Sequence, residues 1–407
     1  MHIVQDGPDQ SVKKALDKKA AYGRDIDLNE YIDDNSQTRI DDLNKMDKDV
    51  KGIMENVGVI ADESGRAGTI MFINNKVSHC SVKEQEGLEM IPLSEALKKY
   101  EWVKDYYWKS MDPTKDKYTA KAYLDDADGY FIHVKKGYRI KDPIQSCMMI
   151  GTKKGAQTLH NIIIVEEGAS IELITGCATG SHINEGLHVG VSEIYVKDDA
   201  SITFSMIHNW GTKTMVRPRT NCILGKNARY VNNYVLLEPV GSLQSYPTCF
   251  LDGEGASCKF NTVCLAQPES DIDIGGAAVL NAPGTSAEIM SRSVCNGGKI
   301  IARGRLTGNC TGAKAHLECR SIMLKDGGST IAIPELEASV ADVEMTHEAA
   351  VGKIARDQIE YLMSRGLSED DAVSMIIRGF LVGSINGLPE NLQREIDSAI
   401  NKANLGN

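Results

Sequence analysis

Cys319 sits in the run Ala315-His316-Leu317-Glu318-Cys319-Arg320, and a second run, Met345-Thr346-His347-Glu348, follows it with Glu348 twenty-nine residues after Cys319. A thiolate, an imidazole and a carboxylate are all groups that iron accepts as ligands. The three would form a metal site if the fold brought them together. Each also fits a structural role: Cys319 as a small core residue, His347 as a cap or surface residue, Glu348 as a charge compensating the N-terminus of a helix. No Cys-x-x-Cys occurs, so a ready-made zinc or ferredoxin-type site has no support. Cys258 and Cys264 would share one face of an unbroken strand and read as packed core thiols. Asp271, Asp273 and Glu288 offer carboxylates of the kind a sugar-cleaving enzyme pairs across its cleft, and they equally fit solvated turns. The chain has neither Gly-x-x-x-x-Gly-Lys-Ser/Thr nor Gly-x-Gly-x-x-Gly opening a helix, so any ATP hydrolysis is expected in a partner subunit.

The elements that must position these residues recur with a period. From about Tyr130 short apolar runs appear: Tyr130 to Val134, Asn161 to Val165, Ser170 to Leu173, Glu193 to Val196 and Ser201 to Met206. Polar turns separate them, as expected for strands. An apolar residue, a polar turn and a small residue precede each new strand. The small residues fall at 169, 200, 228, 256, 285 and 328, at intervals of 31, 28, 28, 29 and 43, and Asn296-Gly297-Gly298 divides the last interval. A period near thirty without an intervening amphipathic helix marks a solenoid, whose coils bury a continuous core only by stacking. A β-propeller blade would need a longer repeat, and a sandwich no steady spacing. The fold class expected is mainly β: a right-handed parallel β-helix over 131–335, between an N-terminal helical domain, 1–130, and a C-terminal helical domain, 336–407. One coil is about as long as the separation of Cys319 from Glu348, so the two runs are expected side by side where the solenoid meets the last helices.

In the N-terminal part, Ile40, Leu43, Met46, Val50 and Ile53 follow helical spacing, as do Leu97, Tyr100, Val103 and Tyr107 after a capping Ser94. Thr69 to Ile73 reads as a short strand. Past Pro334, Val351, Ala355, Ile359 and Leu362 line one helical face. Ser368 caps the next helix, with Val373, Ile376, Ile377 and Phe380 on its apolar side, and a third begins near Pro389 with Leu392, Ile396 and Ile400.

The bulk properties exclude several classes. A net charge of −11 argues against a nucleic-acid-binding surface. No apolar run approaches the length of a membrane span, and the first residues, MHIVQDGPDQSVKK, lack the pattern of a secretion signal. A cytoplasmic location is expected, with the ten cysteines as thiols.

Several segments resemble the SufB/SufD family of the SUF iron–sulfur cluster assembly system. They are Gly129 to Gly137 with Asp142-Pro-Ile-Gln145, His160 to Gly168, Glu172 to Cys177, Leu187-His188, and His208-Asn209-Trp210. The most specific is Thr346-His-Glu-Ala-Ala-Val-Gly-Lys-Ile354 followed by Asp357 to Ala372. The resemblance implies a scaffold that builds clusters with a SufC-like ABC-type ATPase, takes sulfur from a donor and passes clusters to apo-proteins. It implicates Cys319 and Glu348 as SufB-like ligands of a transient iron–sulfur cluster and His347 as a SufD-like one. Since all three are here, the chain is closer to SufB, although it lacks an N-terminal cysteine motif and has Thr346 where some relatives carry an acid. Cys319 would react as a thiolate with a lowered pKa. Without a SufD-like partner, two copies would pair as a homodimer. The rival reading is a β-helix polysaccharide-acting enzyme.

Overall fold

The computed structural model describes residues 10–83 and 85–382. The expected helix near Pro389, with Leu392, Ile396 and Ile400, lies outside them. From Tyr130 the chain winds into a β-solenoid of about eight coils. Two parallel sheets form its walls. Sheet A stacks, among others, Gly155–Val165, Glu185–Val196, Arg219–Leu224, Thr248–Leu251, Asp271–Leu280, Lys299–Gly308 and Ser329–Ala338. Sheet B stacks Ile144–Ile150, Ser170–Thr179, Ser201–Asn209, Arg229–Leu236, Ser257–Ala266, Ser286–Cys295, Ala313–Met323 and Val343–Gly352.

The corner leading into sheet B explains the repeated motif. Gly168, Asp199, Asn227, Gly255, Gly284 and Gly312 all have positive φ, between 53° and 71°. Glycine, asparagine and aspartate are the residues that enter that region at least cost. Each is followed by a small buried residue: Ala169, Ala200, Ala228, Ala256, Thr285 and Ala313. Gly328 belongs instead to the opposite corner, next to Gly298, so the long final interval mixes two corners. Asp252, Asn281, Asn309 and Ser339 form a hydrogen-bonded ladder along one edge, at 2.7 to 3.0 Å.

Alternation gives every strand an inner and an outer face. The inner faces form one core that includes Leu173, Phe204, Tyr230, Phe260, Ile289, Leu317 and Cys319, and Cys258 and Cys264 lie in it as expected. The outer faces are apolar too, because other elements cover them, as near-continuous apolar strands require. Helix α1 (Gln10–Ala15) packs on helix α4 (Lys117–Leu124). Helix α3 (Leu93–Lys99) and α4 cover sheet A. Helix α2 (Lys48–Glu55) and the residues after it cover one end of sheet B through Met54, Val57 and Val59. At the other end helix α6 (Glu369–Val382), joined to α5 (Arg356–Ser364), covers sheet B through Ile377 and Leu381.

The N-terminal part mixes its helices with strands Gly68–Ile73, Lys76–Val82 and Leu88–Pro92. Thr69 to Ile73 is thus a strand, as its composition predicts. Ser94 does not cap its helix; its N–H and hydroxyl donate to Asp128 instead. The strands also run on past Pro334 to Gly352, and the helices begin only at Arg356.

Candidate functional site

Strand Ala313–Met323 lies between Ser286–Cys295 and Val343–Gly352, hydrogen-bonded in parallel to both. The two runs singled out in the sequence are therefore neighbours at the last coil. Their register is Leu317 opposite His347, Glu318 opposite Glu348, and Cys319 opposite Ala349. This coil is thirty residues long by the pairing of Ala313 with Val343, one more than the Cys319–Glu348 separation. That single residue sets the faces, because a shift of one turns a side chain to the other side of a sheet.

Ala313, Ala315, Leu317 and Cys319 point into the core. Val343 and Met345 pack against the same core, and alternation places His347 on their face. Cys319 and His347 thus share the inner face of the last coil. Glu348 lies on the outer face beside Glu318. It opens no helix, contrary to the dipole-compensating reading, since it sits within a strand. Among the described residues, no group of three or more His, Cys, Asp or Glu side chains is placed to hold one metal ion.

Among the described residues, nothing stacks on this coil. Leu336 and Val351, which register with the inner positions Leu306 and Ser321, are 39 % and 48 % exposed. Among the described residues, the backbone edges of Ser329–Ala338 and Val343–Gly352 pair on one side only.

The outer face carries a charge network. Glu348 Oε1 accepts from Arg320 Nε at 3.1 Å and Nη2 at 2.6 Å. Arg320 Nε also lies 3.1 Å from Glu318 Oε1, and Glu318 pairs with Arg292. His316 Nδ1 is 2.8 Å from Thr346 Oγ1. The Arg292 guanidinium stands 5.7 Å from the centre of the Phe380 ring on α6. The expected lowering of the Cys319 pKa is not found. Burial, and then the Glu318 charge, push the thiol up to about 11, against a smaller opposing effect of Arg292.

The histidines that resemble family positions lie deep in the solenoid. His208 Nδ1 is 2.7 Å from Tyr234 Oη, and His188 Nδ1 is 2.9 Å from Gln157 Oε1. Trp210 packs against both imidazoles. Burial pushes His188 down to about 3, so its ring is neutral in the fold.

Comparison with known proteins adds the decisive observation. The family described as "SUF system FeS cluster assembly, SufBD core domain" matches residues 148–380, more than half of the chain. The chain belongs to the SufB/SufD family. It is similar to an iron–sulfur cluster assembly SufBD family protein of Methanothermobacter thermautotrophicus strain Delta H, 44 % identical over 393 residues, covering 95 % of this chain and 96 % of that protein. A family member of Archaeoglobus fulgidus is 42 % identical over 350 residues, covering 86 % and 94 %. The iron–sulfur cluster assembly protein SufB of Bacillus subtilis is 29 % identical over 365 residues, covering 87 % and 77 %. SufB/SufD membership ties the chain to iron–sulfur cluster assembly, as a scaffold-type component.

The carboxylates of the polysaccharide reading are split in this SufB/SufD fold, with Asp271 and Asp273 two residues apart on a strand of sheet A and Glu288 on sheet B. Asp273 is buried on sheet A, held by Arg303 Nε at 2.6 Å and Nη2 at 2.9 Å. Glu288 is on sheet B, 2.9 Å from Lys259. Sequence reasoning missed Arg292, Glu318 and Arg320. The signal was available: His316-x-Glu318-x-Arg320 alternates on one face, and coil spacing relates Glu318 to Glu348 and Arg292 to Arg320. No helix among the described residues is long and apolar enough to cross a membrane.

Proposed function

We propose that the chain is the cytoplasmic scaffold subunit on which an iron–sulfur cluster is assembled as cargo, with a SufC-like ABC-type ATPase as its motor. The observation that carries this reading is the shared inner face of Cys319 and His347 at a last coil that no described residue caps, in a chain of the SufB/SufD family. Two copies pair through their open ends as an isologous homodimer, because each leaves strand edges and apolar side chains for the other to cover. Cys319, His347 and Glu348 of both copies then surround one two-fold axis. Thiolates hold iron firmly, whereas a carboxylate oxygen is a harder, less cluster-typical ligand. Such a mixed set suits a cluster that must be released to apo-proteins. Sulfur comes from a separate donor.

The ATPase docks on α5 and α6, where Tyr361 and Met375 are 59 % and 51 % exposed, and dimerisation of the ATPase moves these helices. Anaerobic co-purification with the ATPase, followed by iron and sulfide measurement, tests the reading. The parent should carry both elements. Cys319→Ala should lose most of them while still retaining the ATPase. Equal iron and sulfide in the two proteins would refute the role of Cys319.

A further inference from the structure

We infer that Arg320 is the counter-ion that keeps Glu348 closed to iron, and that the Glu318–Arg292 pair ties this guard to helix α6. The inference rests on the reading of Glu348 as an iron ligand, and it names what controls that ligand.

Glu318 and Glu348 are register neighbours on the outer face of sheet B. Adjacent strands lie about 4.8 Å apart, and like charges placed directly opposite repel. Two guanidiniums offset that repulsion. Arg320 directs Nε and Nη2 at Glu348 Oε1, at 3.1 and 2.6 Å, and the same Nε reaches Glu318 Oε1 at 3.1 Å. Arg292 pairs with Glu318 from the strand on the other side. A guanidinium does not give up its proton at any ordinary pH, so iron reaches Glu348 only when the Arg320 side chain swings away. Both Arg320 and Glu348 are about half exposed, so the swing breaks no packing.

Glu318 and Arg292 are far more buried than that outer pair. Arg292 lies under Phe380 of α6. An unbroken series of contacts therefore runs from Glu348 through Arg320, Glu318 and Arg292 to a helix. Lifting α6 would hydrate Arg292 and weaken its hold on Glu318, since an ion pair loses strength as its surroundings become more polar. Glu318 then draws Arg320 to itself, and Glu348 is uncovered. Arg320 is in this sense a positioning residue, adjacent in sequence to Cys319 but on the opposite face.

The test is anaerobic equilibrium dialysis of ferrous iron alone against the full chain and its variants. Arg320→Gln should tighten iron binding roughly two- to fivefold, the range that competition from one half-exposed ion pair supplies. Arg320→Lys, which keeps the charge but not the planar fork, should fall between. In a Glu348→Gln background Arg320→Gln should change nothing, a result that a merely structural role or a general field effect would not give. Phe380→Ala should tighten binding in the parent and have no effect in the Arg320→Gln background. If Glu348→Gln weakens iron binding and Arg320→Gln leaves it unchanged, the guard is overturned while the ligand reading stands. If Glu348→Gln itself has no effect, the ligand reading fails and takes the guard with it. Equal tightening by Arg320→Gln with and without Glu348 would also overturn the guard. A Phe380→Ala protein that binds iron like the parent would break the tie to α6.

Discussion

Cys319 is a thiol facing an apolar core with a carboxylate behind it, and both features favour its neutral form. Burial and the Glu318 charge raise its pKa to about 11, so at neutral pH the iron-free chain holds it as a thiol. The thiolate is both the nucleophile and the metal ligand, so iron has to displace a proton. Iron affinity at Cys319 should therefore rise with pH, by up to about tenfold per pH unit well below the thiol's pKa. The same protonation makes Cys319 slow toward alkylating agents. Timed iodoacetamide labelling of the iron-free protein, read by peptide mass spectrometry, should modify the partly exposed Cys310 before the buried Cys319. Cys319 should follow only as pH climbs toward about 11. Fast labelling of Cys319 at neutral pH would mean that the last coil opens far more readily than its packing implies.

At the scale of elements, the corner into sheet B is what defines the coil, and it can be tested where sterics are absent. A Cβ added at Gly284 would meet nothing within 4 Å, yet its φ is +66°. Gly284→Ala should thus cost about 1–2 kcal/mol, the left-handed penalty alone, seen as a lower denaturant midpoint with an unchanged slope. Gly284→Asn should cost less, because Asn227 occupies the equivalent corner at φ 53°. This demand for a left-handed residue followed by a small one is why the solenoid was legible in the sequence: Val165 to Ala169 and Leu251 to Ala256 carry the signal whatever the strands between them contain. The end of the solenoid was not legible. Val343–Gly352 is the last coil, so positions such as His347 and Ala349 need not be large and apolar, and its alternation fades. The spacing of Val351, Ala355, Ile359 and Leu362 then imitates a helix that begins only at Arg356. Proximity of the Cys319 and Glu348 runs followed from the period, but their faces did not. Coil lengths along sheet B run from 28 to 31 residues, and one residue decides which side of the sheet a group occupies.

For the whole molecule, the wrapping is uneven in a way that bears on assembly. Sheet A lies under the N-terminal helices, and sheet B is covered at one end by residues 40–61 and at the other by α6. No described residue covers the last coil along its stacking direction. Its two outermost strands, Ser329–Ala338 and Val343–Gly352, are each ten residues long, and long unpaired edges invite pairing with another chain. An inward-facing Leu336 left 39 % exposed gives that pairing an apolar centre. If two copies meet there, a charge at Leu336 should be intolerable in the dimer yet harmless to the single chain, where solvent already reaches the site. Leu336→Glu should then run as a monomer in light scattering at concentrations where the parent has twice the chain mass, with thermal unfolding of the dilute protein little changed. Because the proposed ligand set is completed across the two-fold axis, this variant should also fail to retain iron and sulfide although Cys319, His347 and Glu348 are intact. A monomeric variant that keeps its cluster would show instead that one chain is sufficient, which would require Glu348 and Cys319 to reach a common ion around the open edge of the last strand.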